Sequence, residues 1–136
     1  MDAKQLIKEL QTIPKFISSL EEERQATLSL LGGSHSYSDT RVQTSKTNAQ
    51  EAKTVAYLER SDYMLKHIAD LHQERNRLLD IIHQIPNLQL VLVLLTIVNS
   101  ETLTEAQDRL DMSKTTFFRL KREGMNALDE VLHDLK

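Results

Sequence analysis

Cysteine and tryptophan are absent from the 136 residues, aromatic residues make up only 4%, and there are three glycines and two prolines. Without cysteine the chain has no disulfide framework, no thiolate metal site and no cysteine nucleophile. Sparse aromatics favour helix packing over a broad β-core, and sparse Gly and Pro leave room for long helices with few turns. There is also no apolar run of the roughly 20 residues that a membrane span requires. The longest such run, Leu88 to Val98, holds nine apolar residues in eleven.

Motifs that carry enzyme chemistry are missing too. There is no Gly-rich phosphate loop, no GxSxG and no HExxH, and His35, His67, His72, His83 and His133 do not recur at metal-ligand spacing. The many carboxylates fit solvated helix faces and intrahelical ion pairs better than a general acid and base. No catalytic, metal or cofactor site is expected, and the chain is not expected to be an enzyme. Its start, MDAKQLIKEL, is charged and amphipathic without the apolar core of a signal peptide. The expectation is a cytoplasmic protein.

What remains is helical periodicity, and it predicts an all-α fold. Asp2 can cap a first helix over about residues 2–31, with Gln5 at its third position and Leu6, Leu10, Ile13, Ile17 and Leu20 at helical spacing. Pro14 falls inside that run, so either a kink or a short leading helix is expected. Gly32-Gly33 should stop the helix. A polar stretch over 32–47 reads as a loop. Within it Arg41 and Lys46 are candidates for phosphate contact, though a solvated linker is the plainer reading.

Thr47 with Gln50 forms a capping box that opens a second helix over about 48–85. Val55, Leu58, Leu65, Ile68, Leu71, Leu78, Leu79, Ile82 and Ile85 recur at three- and four-residue steps, close to a heptad seam. Such a helix needs a partner, either the first helix folded back antiparallel or the same helix of a second subunit. Residues 1–85 therefore read as a helical arm for dimerisation or partner binding, and 86–136 as a separate module. Pro86 can open the next helix. The run from Leu88 to Val98 then reads as a buried helix or partly as a subunit interface, closed by Asn99-Ser100.

Thr102 to Leu120, TLTEAQDRLDMSKTTFFRL, carries the helix-turn-helix pattern. Thr102 and Glu105 form a capping box, Leu103, Ala106 and Leu110 share a stripe, and Ser113 is a good N-cap for a second helix. In that second helix Phe117, Leu120, Gly124, Leu128, Val131 and Leu135 fall on one face. Opposite them lie Thr115, Phe118, Arg119, Arg122 and Asn126, flanked by Lys114. From Ser113 to Arg122 there are four cations and no acid.

That is the chemistry of a recognition helix. Thr and Asn hydrogen-bond base edges, Arg pairs bidentately with guanine, and Lys neutralises phosphate. Thr115, Arg119 and Phe118 are the candidate readers, with Phe118 open to a protein contact instead, and Thr116 is a further DNA-binding candidate on the same helix. Lys114, Lys121 and Arg122 are the candidate phosphate ligands. The bland alternative is an amphipathic C-terminal helix with a solvated basic face. Two departures from the common pattern stand out: Gln107 where a small residue is usual, and Asp111 where glycine often makes the turn. The net charge of −3 makes the basic patch local, so a single copy should bind weakly and with strong salt dependence. Doubling the patch in a homo-oligomer is the usual remedy.

The order of these parts resembles the phage-encoded late transcription regulators of the RinA and ArpU type. The resemblance rests on an N-terminal helical arm, on RVQTSK at 41–46 leading into a long helix, and on a C-terminal module similar to region 4 of sigma factors, SKTTFFRLKREGMNALDEVL. It implies a DNA-binding activator of phage late or packaging genes, acting on double-stranded promoter DNA in the host bacterial cell, and it admits contact with RNA polymerase. It also points to Lys114, Thr115, Thr116, Arg119 and Arg122. Two other readings stay open: a small terminase-like packaging subunit, and a helical protein-interaction adaptor.

Overall fold

The computed structural model describes residues 1–33 and 44–135, with side chains over 1–31 and 49–135. Among these residues there are five helices and no strand: α1 (Ala3–Gly33), α2 (Thr44–His83), α3 (Leu88–Val98), α4 (Leu103–Leu110) and α5 (Lys114–Asp134). The fold is all-α, as the scarcity of turn residues predicts. Two compact units divide it: Met1–Pro14 with Gln73–Lys136, and Lys15–His72. The expected boundary at residue 85 is thus displaced. Both ends of the expected arm, 1–14 and 73–85, belong to the unit that holds the helix-turn-helix.

In the Lys15–His72 unit the two helix segments run antiparallel. Phe16 meets His67 edge-on at 5.3 Å, Arg24 Nε donates to Ser61 Oγ at 3.0 Å, and Arg60 pairs with Glu23 at 3.0 Å. The folded-back hairpin is therefore the arrangement found. Its α2 seam is Ser61, Met64 and Ile68, all buried, while Val55, Leu58 and Leu65 are exposed. Of the expected seam in this half Ile68 holds, whereas Val55, Leu58 and Leu65 flank the stripe that faces α1. The apolar count of the sequence does not distinguish a seam from its flank when a serine and an arginine occupy seam positions.

α1 runs through Pro14 without a break. The proline has no N–H to return to the Leu10 carbonyl, so one rung of the ladder is missing there. Asp2 and Gln5 form a reciprocal box at the helix start, Gln5 N–H to Asp2 Oδ1 at 2.8 Å and Asp2 N–H to Gln5 Oε1 at 3.1 Å. α1 includes both Gly32 and Gly33, and the expected stop there lies at the edge of the described residues. α2 is already helical at Thr44, its first described residue, ahead of the expected box at Thr47. Most of the expected loop, Arg41 included, lies outside the described residues. Of Lys46 only the backbone, in the first turn of α2, is described.

The other unit is built on α3. Leu90, Val91, Val93, Leu94, Ile97 and Val98 are buried, and both α4 and α5 pack against this helix. Burying side chains of this size contributes about 1.5–3 kcal/mol each. Leu88 and Leu92 remain exposed. Leu78, Ile81, Ile82 and Ile85 of the α2 end join the core with Ala3, Leu6, Leu10 and Ile13. α2 itself stops at His83, tightening through i→i+3 bonds from Gln84 and Ile85. Pro86 is not the first helical residue. It precedes Asn87, which caps α3 by accepting the Gln89 N–H at 2.9 Å. Two long-range bonds fix α1 in this unit: Ala3 N–H to Asp129 Oδ1 at 2.7 Å, and Gln11 Nε2 to the Ile97 carbonyl at 3.1 Å.

Candidate nucleic-acid interface

α4 is eight residues long, too short to hold its shape by propensity alone, and it is held at both ends. Thr102 Oγ1 accepts the Glu105 N–H at 3.1 Å, and Glu105 Oε2 accepts the N–H of Glu101 at 2.8 Å, one residue before the cap. Glu105 also pairs with Arg109 at 2.7 Å, one turn along. Arg109 in turn donates to the Asn99 carbonyl at 3.0 Å, tying α4 to the end of α3. Ala106, fully buried, lets the helix approach its neighbours closely, whereas Leu103 is exposed and Leu110 only half-buried.

The turn carries a Schellman pattern, with the Met112 N–H directed at the Gln107 carbonyl and the Asp111 N–H at the Asp108 carbonyl. Asp111 takes the left-handed conformation that glycine usually supplies, at φ 51° and ψ 47°. The Gln107 amide then donates to the Met112 carbonyl at 3.2 Å. A long polar side chain therefore does at the turn what no small residue could. Ser113 caps α5 by accepting the Thr116 N–H at 3.3 Å, and its hydroxyl also bonds Thr116 Oγ1 at 2.9 Å.

On α5, Phe117, Leu120, Gly124, Leu128 and Leu132 form the buried face. Val131 is only half-buried and Leu135, at the end of the helix, is exposed, so both drop out of the expected face, and Leu132 is buried instead. Gly124 sits where a Cβ would stand 3.2 Å from Leu94 Cγ.

Lys114, Thr115, Arg119, Arg122 and Asn126 are exposed together with Phe118. Thr116 is half-buried and its hydroxyl is engaged by the cap, which makes it a structural residue before it is a reader. Lys121 is also half-buried, its ammonium 5.8 Å from the Phe118 ring centroid. Among the described residues Lys114, Arg119, Lys121 and Arg122 have no carboxylate within ion-pair distance. These four cations are therefore not held in ion pairs. Among the described residues no cluster of three or more His, Asp or Glu is placed to hold a metal ion, and no helix is long and apolar enough to cross a membrane.

The second function of Gln107 and the tie made by Arg109 are not among the expected features. The Glu105–Arg109 spacing was a readable signal for the latter, whereas the turn bond of Gln107 depends on where the chain reverses.

These features define a helical protein with a capped helix-turn-helix whose second helix presents a free basic face. A family of proteins of unknown function, DUF1492, matches residues 30–129. The chain belongs to this family. The matched stretch takes in all of α2, α3 and α4 and most of α5. No curated protein and no solved structure matches the chain.

Proposed function

We propose that this chain is a homo-oligomeric, sequence-specific double-stranded DNA-binding transcription regulator, a phage-encoded activator of late or packaging genes in the bacterial cytoplasm. The observation that carries this reading is the row Lys114, Thr115, Arg119 and Arg122, exposed and unpaired on a helix whose start is fixed by the clasped turn at Asp111. Thr115 and Arg119 read base edges in the major groove, and Lys114, Lys121 and Arg122 hold phosphates. The similarity in order of parts to the RinA and ArpU regulators supports the biological context and the contact with RNA polymerase. The exposed Val55, Leu58 and Leu65 on α2 support self-association, since a solvent-facing apolar row on a long helix is a natural interface.

The test is selection of fragments from a phage genome by the purified protein at two salt concentrations, followed by sequencing. Enrichment of a site made of two half-sites about one helical turn apart supports a dimeric regulator. Arg119→Ala with Arg122→Ala should abolish that enrichment while circular dichroism stays unchanged. Unaltered affinity in this variant sinks the reading. A ring of many chains by mass would favour a packaging subunit instead.

A further inference from the structure

Beside the basic face of α5 lies a groove of about 350 Å³ whose walls come from four helices of the same compact unit, α1, α3, α4 and α5. Its apolar lining comes from Ile7, Ile97, Leu103 and Met125, and its charged lining is Lys4, Lys8 and Lys121 with one acid, Glu101. Lys4 and Lys8 are four residues apart on α1 and therefore share a face. Both are exposed, and among the described residues neither has a carboxylate within ion-pair distance.

Two further observations give the lysines a direction. Lys121 belongs both to this lining and to the α5 surface, where its ammonium lies over Phe118. Lys121 thus borders both the α5 face that carries Phe118 and the groove that Lys4 and Lys8 line. In addition, Lys4 stands in the first turn of α1, which has no acidic residue. A cation there opposes the helix dipole, so its position is not one that helix stability favours.

We infer that Lys4 and Lys8 are DNA phosphate ligands, extending the footprint of the α5 helix along the duplex backbone past the groove. The inference rests on the DNA-binding reading above. The Ala3–Asp129 and Gln11–Ile97 bonds hold the start of α1 in this unit, so the two lysines are presented on a fixed frame. Phosphate contacts position a protein without reading sequence, so these residues strengthen binding to any duplex alike.

The experiment needs no cognate site. Binding of the full chain to a short fluorescent duplex of mixed sequence is followed by anisotropy over a salt series. The Lys4→Gln, Lys8→Gln variant should show a log K against log salt slope shallower by about two, roughly one for each lysine replaced. Lys4→Arg with Lys8→Arg should keep the parent slope. Lys53→Gln with Lys66→Gln makes the same charge change in the other unit and should also leave it alone, with circular dichroism reporting that all variants fold. A parent-like slope in the Lys4, Lys8 glutamine variant overturns the inference while leaving the α5 reading standing. An equal drop in the Lys53, Lys66 variant overturns it as well, because the effect would then be net charge alone. Absence of any salt-dependent binding by the parent chain overturns both readings.

Discussion

Gln107 and Met112 are joined twice across the turn between α4 and α5: the Gln107 carbonyl faces the Met112 N–H at 3.5 Å, and the Gln107 amide donates to the Met112 carbonyl at 3.2 Å. The backbone contact is long and weak, which makes the side-chain bond the better-formed half of the clasp. Gln107→Ala should lower stability by about 1 kcal/mol, the usual net worth of such a bond. Gln107→Met, similar in length but unable to donate, should do the same. Chemical denaturation with an unchanged midpoint in both variants would show that the clasp contributes nothing.

Asp111 sets a second expectation at the same turn. Its left-handed backbone disfavours most L-residues by roughly 1–2 kcal/mol, with Asp among the tolerated exceptions. Asp111→Gly should change stability by less than about 0.5 kcal/mol, because relief at the turn is offset by the larger entropy that glycine loses on folding. Asp111→Val should be destabilising by about 1–2 kcal/mol. The readout is the thermal midpoint, and a valine variant as stable as the parent contradicts the assigned turn.

Gly124 makes a third site where space, not conformation, decides. A Cβ there would lie 3.2 and 3.3 Å from Leu94 Cγ and Cδ2, and Leu94 is itself fully buried. Alanine gains about 1 kcal/mol of helix propensity but must displace a packed leucine, at a cost of roughly 1–3 kcal/mol. The expected net is a loss of about 1 kcal/mol for Gly124→Ala and a larger one for Gly124→Val. In a Leu94→Ala background the Gly124→Ala loss should shrink or reverse, a coupling that a double-mutant cycle measures directly.

A fourth expectation concerns acid. The Glu74 carboxyl is held below its ordinary value of 4.5, first by the hydrogen bond from Arg77, against which desolvation works, and then by the Arg77 charge. Because the folded-state value is depressed, the stabilisation is present above the ordinary carboxylate range and is lost as pH falls through the folded value. The pair is an exposed i,i+3 contact with Glu74 38% exposed, so solvent screening limits it to a few tenths of a kcal/mol. Arg77→Gln should raise the Glu74 titration midpoint toward 4.5, as followed by NMR, and barely move neutral-pH stability. An unmoved Glu74 midpoint contradicts the assignment.

Much of this architecture was legible in the chain because it is encoded locally. The helix starts at Asp2, Thr102 and Ser113, the helical nature of Leu88–Val98 and the exposed basic row of α5 all follow from side chains within one turn of the groups they satisfy. The resemblance to phage regulators likewise rests on the order of those segments. Other features were set by what each segment packs against. The true seam of α2 runs through Ser61, whose polarity hides it until Arg24 is seen to hydrogen-bond across the hairpin. The bond of Ala3 to Asp129, the engagement of Thr116 by its own cap, the exchange of Val131 for Leu132 and the gathering of Lys4, Lys8 and Lys121 around one groove are equally tertiary. Periodicity and capping act over about four residues, so the sequence by itself determined which segments are helices and where most of them begin. Only the packing of those helices decided which stripe faces inward and which distant lysines share a surface, because burial depends on partners that no local pattern contains.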